Sequence, residues 1–155
     1  MNGVKTNLRD HFRTLRLAMD REDVDAKSRI ICTKLDEEIG KNKLNNLLAY
    51  QSITKLNEVD IRSFLAGLEN IDVDLLSADP GQPLPGKKYD VILVPCLAFD
   101  KDSYRLGWGG GFYDQLLATQ PQALKIGLCF ENGFVEDGLP HEPHDIPLDK
   151  VITEI

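Results

Sequence analysis

The sequence predicts an α/β fold: a single three-layer domain over residues 1–155, with a mostly parallel central sheet and helices on both faces. Asp90-Val-Ile-Leu-Val-Pro95 is a continuous apolar run, as a central parallel strand covered on both faces requires. Segments with helical spacing alternate with such runs, which is the pattern of a parallel sheet with helical crossovers. The 155 residues are 42% hydrophobic, and a chain of this size hides roughly 70% of its surface on folding, enough for one proper core.

Element by element, Leu8, Phe12, Leu15 and Met19 recur at helical spacing, with Lys5, Arg9, Arg13 and Arg16 on a different stripe. This predicts an amphipathic helix over about residues 4–19. Asp20-Arg-Glu-Asp23 resembles a capping box that opens a second helix carrying Ile30, Ile31, Leu35 and Ile39 and ending near Gly40. Leu47-Leu-Ala-Tyr50 reads as a short buried strand. A third helix is expected to open at Asn57-Glu58, with Ile61, Phe64, Leu65 and Leu68 facing inward. Val73-Asp-Leu-Leu76 is a second strand, and residues 79–86, rich in Pro and Gly, must be loop. After the central strand come a short helix from about Phe112 to Ala118, a buried strand over Lys125–Phe130 and a last strand over Val151–Glu154. No internal repeat or inter-domain linker interrupts this order.

Composition narrows the function. A net charge of −7 argues against broad nucleic-acid binding, which needs a basic footprint. It leaves room for a small anionic ligand in a locally basic pocket. Cys32, Cys96 and Cys129 are isolated and form no CxxC pair, which reads as buried, reduced thiols. The N-terminus is charged and helical rather than signal-like, and no apolar run approaches the roughly 20 residues that span a bilayer. A soluble, cytoplasmic protein without membrane partners is expected.

The strongest local feature is Arg105-Leu-Gly-Trp-Gly-Gly-Gly-Phe-Tyr-Asp114, in which Gly107, Gly109, Gly110 and Gly111 fall within five residues between a strand and a helix. Glycine at that density is entropically costly. A loop tolerates it where the backbone takes positive φ or approaches a ligand closely, and successive free amides then form a concave anion site. The following helix start adds free N–H groups, and Arg105 can add charge-assisted bonds. The alternative is a tight turn in which glycine only relieves crowding. The loop is not a P-loop, because no Gly-Lys-Ser/Thr follows, and Phe112 spoils a GxGxxG fingerprint. Phe99, Tyr104, Trp108, Phe112 and Tyr113 crowd around it. They could wall in a base or pteridine ring, or, for Phe99 and Tyr113 in particular, simply seal the loop against the core. His141 and His144, three apart in a Pro-containing loop, are poorly spaced for a transition-metal site.

Val94-Pro-Cys-Leu-Ala-Phe-Asp100 followed by the Arg105–Asp114 loop resembles the signature of the 5-formyltetrahydrofolate cyclo-ligase family. Lys5-Thr-Asn-Leu-Arg9, Glu58-Val-Asp60, His144-Asp145 and Asp149-Lys-Val-Ile-Thr-Glu154 resemble further family elements in the same order. The resemblance implies a ligase that forms a C–N bond. It would close 5-formyltetrahydrofolate to 5,10-methenyltetrahydrofolate, with ATP going to ADP and phosphate. It further implies that Lys5 and Arg9 contact nucleotide phosphates. Arg105, as the catalytic residue, and Leu106, Gly107, Trp108, Gly109, Gly110, Gly111, Phe112 and Tyr113 would cradle the triphosphate. Asp114 and Asp145 would hold Mg²⁺, Glu58 with Trp108 and Tyr113 would hold the folate, and the protein would be a monomer.

The sequence also departs from the family pattern. The segment from Leu75 to Lys88 is short, Cys96 stands in place of a glycine, and Gln115 stands where an arginine is common. The phosphate half of the site therefore looks complete and the folate half reduced. That leaves a second reading, a relative that binds nucleotide or folate without cyclo-ligase turnover in a regulatory or storage role, and a weaker third, a small kinase or ATPase acting on another substrate.

Overall fold

The computed structural model describes residues 2–77, 79 and 81–155. Within the predicted 79–86 loop, Pro80 lies outside the described residues. Five parallel strands form the central sheet: β1 (Asn46–Tyr50), β2 (Asp72–Leu76), β3 (Val91–Pro95), β6 (Leu124–Leu128) and β8 (Lys150–Ile152). Their order is β2-β1-β3-β6-β8. Every residue of β3 is buried, as its unbroken apolar run predicts.

Alternate residues of these strands point to opposite faces, and each face finds a cover. Leu47, Ala49, Val91, Leu93, Ile126 and Leu128 pack with Val24, Ile31, Leu35 and Ile39 of α2 (Arg21–Gly40) and Phe64 of α3 (Arg62–Ala66). Leu48, Ile92 and Val94 pack with Leu116 and Leu117 of α4 (Phe112–Ala118). This confirms the α/β class, the parallel sheet and helices on both faces.

Three local expectations change. Asp20 occupies the N-cap of α2, but its side chain makes no capping bond, so the capping box is not formed. Negative charge near the helix start comes instead from Glu22 and Asp23. The third helix opens at Arg62 rather than at Asn57. Asn57 has φ 52° and ends a 3₁₀ turn over Thr54–Leu56, and residues 58–61 are not helical, so the helix starts only after Ile61. Finally, near the end of α1 (Asn2–Leu17) a basic residue and not the expected apolar one is buried: Arg16 is 2% exposed while Leu15 is 39% exposed.

A second, three-stranded sheet, β5-β4-β7, was not expected from the sequence. It consists of β4 (Ala98–Asp100), β5 (Arg105–Leu106) and β7 (Phe134–Val135). Leu8 and Phe12 of α1 pack on it with Leu97, Ala98, Leu106, Trp108 and Leu139. It continues directly from the carboxyl end of β3, so α1 lies across the end of the central sheet where the strands point.

Candidate active site

The chain runs from β1 outward to β2 and then returns to place β3 on the other side of β1. Neighbouring connections thus leave the sheet in opposite directions, and in open α/β sheets the crevice at the carboxyl ends beside such a switch is where ligands bind. A cavity of about 530 Å³ opens there, within the range of small-molecule sites. Tyr50 and Gln51 at the end of β1, Leu76 and Ser77 at the end of β2, and Pro95 at the end of β3 all face it.

The glycine loop forms one wall. Asp100 sets it up: its Oδ1 accepts the Asp102 and Tyr104 amides, both at 3.0 Å, and its Oδ2 accepts the Leu139 amide at 2.8 Å. The tight turn so made delivers Arg105 onto β5. Arg105 Nη2 donates to Pro95 O at 3.0 Å, and the guanidinium lies 5.2 Å from the Tyr113 ring centre. Its Nε is buried and finds no partner among the described residues. A Cβ on Gly107 would collide with the Arg105 guanidinium, so any larger residue there must displace that side-chain end. Gly111, with φ 70°, turns the chain into α4 through a backbone region that L side chains rarely occupy. Among the described residues, no main-chain amide from Gly107 to Phe112 donates a hydrogen bond within the protein. Since α4 has only seven residues, these open amides matter more than its dipole.

Helix α1 supplies the cations. Arg9 Nε donates to Gly107 O at 3.2 Å, which fixes the arginine against the loop. Lys5 Nζ lies 2.7 Å from Asp145 Oδ2, and the Glu142 amide donates to the same oxygen at 2.9 Å. Burial pushes the Asp145 carboxyl up, but Lys5, the Glu142 amide and His144 together hold it below the usual range. Asp114, in the first turn of α4, also faces the cavity.

The opposite wall belongs to the segments after β1 and β2. Glu58 is 5% exposed, and its Oε1 accepts the Ile53 amide at 2.7 Å. Burial raises its carboxyl above the ordinary value, against the pull of the Ile53 amide and Arg16. Burial likewise pushes the Tyr113 phenol up, opposed by Arg105. Ser77, Asp79 and Gln82 close this side. Gln82 shapes their turn by donating through Nε2 to Ser77 O at 2.8 Å and accepting the Ser77 amide at 3.2 Å.

All of the predicted site residues line this one cavity: Lys5, Arg9, Glu58, the whole run Arg105–Asp114, and Asp145. Among the aromatics, Trp108, Phe112 and Tyr113 belong to the wall. Phe99 is buried against Phe134 at 5.4 Å between ring centres, and Tyr104 stacks on His141 at 3.8 Å, so neither forms part of it. His144 reaches the cavity, whereas His141 does not line it. Among the described residues, no three His, Cys, Asp or Glu side chains gather as a metal cluster. All three cysteines are free and buried, as expected. Sequence reasoning missed Tyr50, Gln51, Ser77, Asp79 and Gln82. Tyr50 ends a predicted strand and Gln51 and Ser77 directly follow one, so the strand-end rule would have found these three; Asp79 and Gln82 lie in the predicted loop.

Fold and cavity together define a doubly wound α/β protein with a wall of open main-chain amides at its switch point. Residues 76–154 match the family model described as the 5-formyltetrahydrofolate cyclo-ligase family, and the chain belongs to that family. It is 43% identical over 76 residues to the 5-formyltetrahydrofolate cyclo-ligase of Escherichia coli K12, a match covering 45% of this chain and 39% of that one. Matches to the first curated relatives span only 33 to 39% of their length. The fold extends the likeness. A 5,10-methenyltetrahydrofolate synthetase structure from Mycoplasma pneumoniae superimposes with a TM-score of 0.84 at 25% identity, covering 97% of this chain and 99% of that one. The Aquifex aeolicus 5,10-methenyltetrahydrofolate synthetase gives 0.79 at 27% identity, covering 97% and 90%. No described helix is long and apolar enough to cross a membrane.

Proposed function

We propose that the protein converts 5-formyltetrahydrofolate to 5,10-methenyltetrahydrofolate, consuming ATP and releasing ADP and phosphate. The observation that carries this reading is the row of uncommitted amides from Gly107 to Phe112, beside Arg105, in a cavity that runs on to Glu58. Such a row suits polyphosphate oxygens. Membership of the cyclo-ligase family supplies the other reactant.

A formamide oxygen is a poor leaving group. In the proposed reaction it attacks the γ-phosphorus of ATP, and the bond to ADP breaks. Folate N10 then attacks the activated carbon, phosphate departs with the former formyl oxygen, and N10 gives up its proton. The protein's task is positioning and charge neutralisation. Lys5, Arg9 and the loop amides hold the phosphates, and Arg105 is the catalytic residue that steadies charge on the transferred group. Glu58 takes polar hydrogens of the folate head, with Trp108 and Tyr113 against its rings.

The donor set suits Mg²⁺, a hard ion often held by one or two carboxylates together with substrate phosphates. Asp114 and Asp145, which both face the cavity, would hold it. The ion would neutralise phosphate charge.

The short 75–88 segment still closes one side of the cavity, which supports a complete folate half. The test follows methenyl product by near-ultraviolet absorbance and ADP in parallel. Product and ADP are expected in equal amounts, and only with folate, ATP and Mg²⁺ together. ADP without folate would favour an ATPase, and tight folate binding without ADP would favour a non-catalytic relative.

A further inference from the structure

Glu58 sits where burial disfavours its charge, so something must keep the turn that carries it from relaxing into water. We infer that Asn57 is a positioning residue that fixes the Glu58 carboxylate in the cavity by tying its turn to the end of α1. This rests on the reading of Glu58 as the folate contact.

Asn57 is one of three non-glycine residues with positive φ among those described, a conformation asparagine tolerates better than most. Its main-chain N–H closes the turn onto Thr54 O at 3.0 Å. Its side-chain Nδ2 donates to Arg16 O at 3.0 Å, a carbonyl of the last turn of α1 that also accepts the Met19 amide, and to Met19 O at 3.1 Å just beyond the helix. Its Oδ1 accepts from Arg21 Nη1 at 3.4 Å, and the same nitrogen reaches Thr54 O at 3.3 Å. Both ends of the amide are thus spent on holding the turn. The next residue, Glu58, closes the ring by accepting the Ile53 amide.

The other side of the tether is equally anchored. Arg16, whose carbonyl Asn57 takes, sends Nη2 to Cys96 O at 2.8 Å just beyond β3. Lys5 and Arg9 stand earlier on the same helix. The two ends of the cavity therefore share one support, and Asn57 is its joint to the Glu58 side.

The test compares wild type, Asn57→Gly, Glu58→Gln and the double variant. Glycine keeps the left-handed backbone and removes the amide. Asn57→Asp, which keeps the shape but turns donors into acceptors facing two carbonyls, serves as a second variant should Asn57→Gly fold poorly. Hydrogen exchange at the Ile53 amide, read by NMR without ligand, is expected to speed up about tenfold, the scale of one lost hydrogen bond. Calorimetric affinity for 5-formyltetrahydrofolate should weaken about tenfold, with that for ATP within about twofold. In the Glu58→Gln background the folate effect should vanish. Unchanged Ile53 exchange, or the same folate loss in both backgrounds, would overturn the inference. If wild type binds no folate, the proposed function fails, and Ile53 exchange alone still decides whether Asn57 positions Glu58.

Discussion

Gly107 has no room for a side chain because the Arg105 guanidinium lies where its Cβ would stand. Adding a methyl group there must move the arginine that the proposed chemistry relies on, while β5 and the core beneath stay as they are. Gly107→Ala is therefore expected to lower kcat/KM on the order of 10²-fold, the usual cost of misplacing a reacting group by an ångström, with a nearly unchanged melting temperature. Steady-state kinetics and a circular dichroism melt check the pair of outcomes. Glu58 makes the opposite trade. Burial raises its carboxyl in the folded protein, so as pH climbs past the ordinary carboxylate range the unfolded chain loses this proton first. The folded state loses stability up to the raised value and stays lower above it. Glu58→Gln is neutral throughout, and its amide oxygen can still accept the Ile53 N–H. The melting temperature of the variant relative to wild type should thus rise as pH climbs above the ordinary carboxylate value of about 4, while folate binding falls. A relative melting temperature that dropped with pH would contradict a buried, reluctantly charged carboxylate.

At the scale of elements, α1 brings Lys5 and Arg9 to the cavity while Leu8 and Phe12 pack it on the second sheet. Arg16 is its deepest anchor. It donates to Cys96 O, and its guanidinium lies 5.0 Å from the Phe130 ring centre. Arg16→Ala removes a charge-assisted bond worth about 1.5–3 kcal/mol and strands a buried carbonyl, so a loss on the order of 3 kcal/mol is expected in urea denaturation. Arg16→Met, which refills the volume, should recover part of it and so separate packing from bonding. This anchor was only half legible in the sequence. Helical spacing shows that Lys5, Arg9, Arg13 and Arg16 share a stripe, but whether a basic stripe meets water or protein depends on acceptors such as Cys96 O, eighty residues away. Apolar runs carry their own answer, so β3 was readable to within one residue and β6 to within two. The strands β4, β5 and β7 were not, because two or three residues hold no periodicity and their pairing is non-local. The turn at Asn57 was misread as a helix start for a related reason. Its left-handed backbone is sustained by bonds to Arg16 and Met19 that local sequence does not reveal. The glycine loop was legible as irregular backbone because glycine at that density costs chain entropy unless positive φ or a close approach requires it, as at Gly111 and Gly107.

Across the whole molecule, the cavity is walled by segments far apart in the chain, and the Lys5–Asp145 pair joins residues 140 positions apart. A ligand that bridges α1, the glycine loop and the Asp145 turn binds only the folded arrangement and must stabilise it by mass action. At about 100 times its dissociation constant the gain is about 2.7 kcal/mol, which for a chain of this size raises the melting temperature by roughly 5–11 °C. The charges decide which ligand does so. Lys5 is already paired with Asp145, and Asp114 faces the same space, so a bare triphosphate brings its charge close to two carboxylates. ATP with Mg²⁺ should therefore shift melting more than an equal concentration of ATP alone, and AMP should shift it least because it lacks the β- and γ-phosphates proposed to meet the Gly107–Phe112 amides. Added salt should shrink the gap between ATP and AMP only modestly, since amides within a cavity are screened less than surface charges. Equal shifts from AMP and Mg²⁺-ATP in a thermal melt would mean that stabilisation comes from the base and ribose, and would remove the phosphate wall from the account of the site.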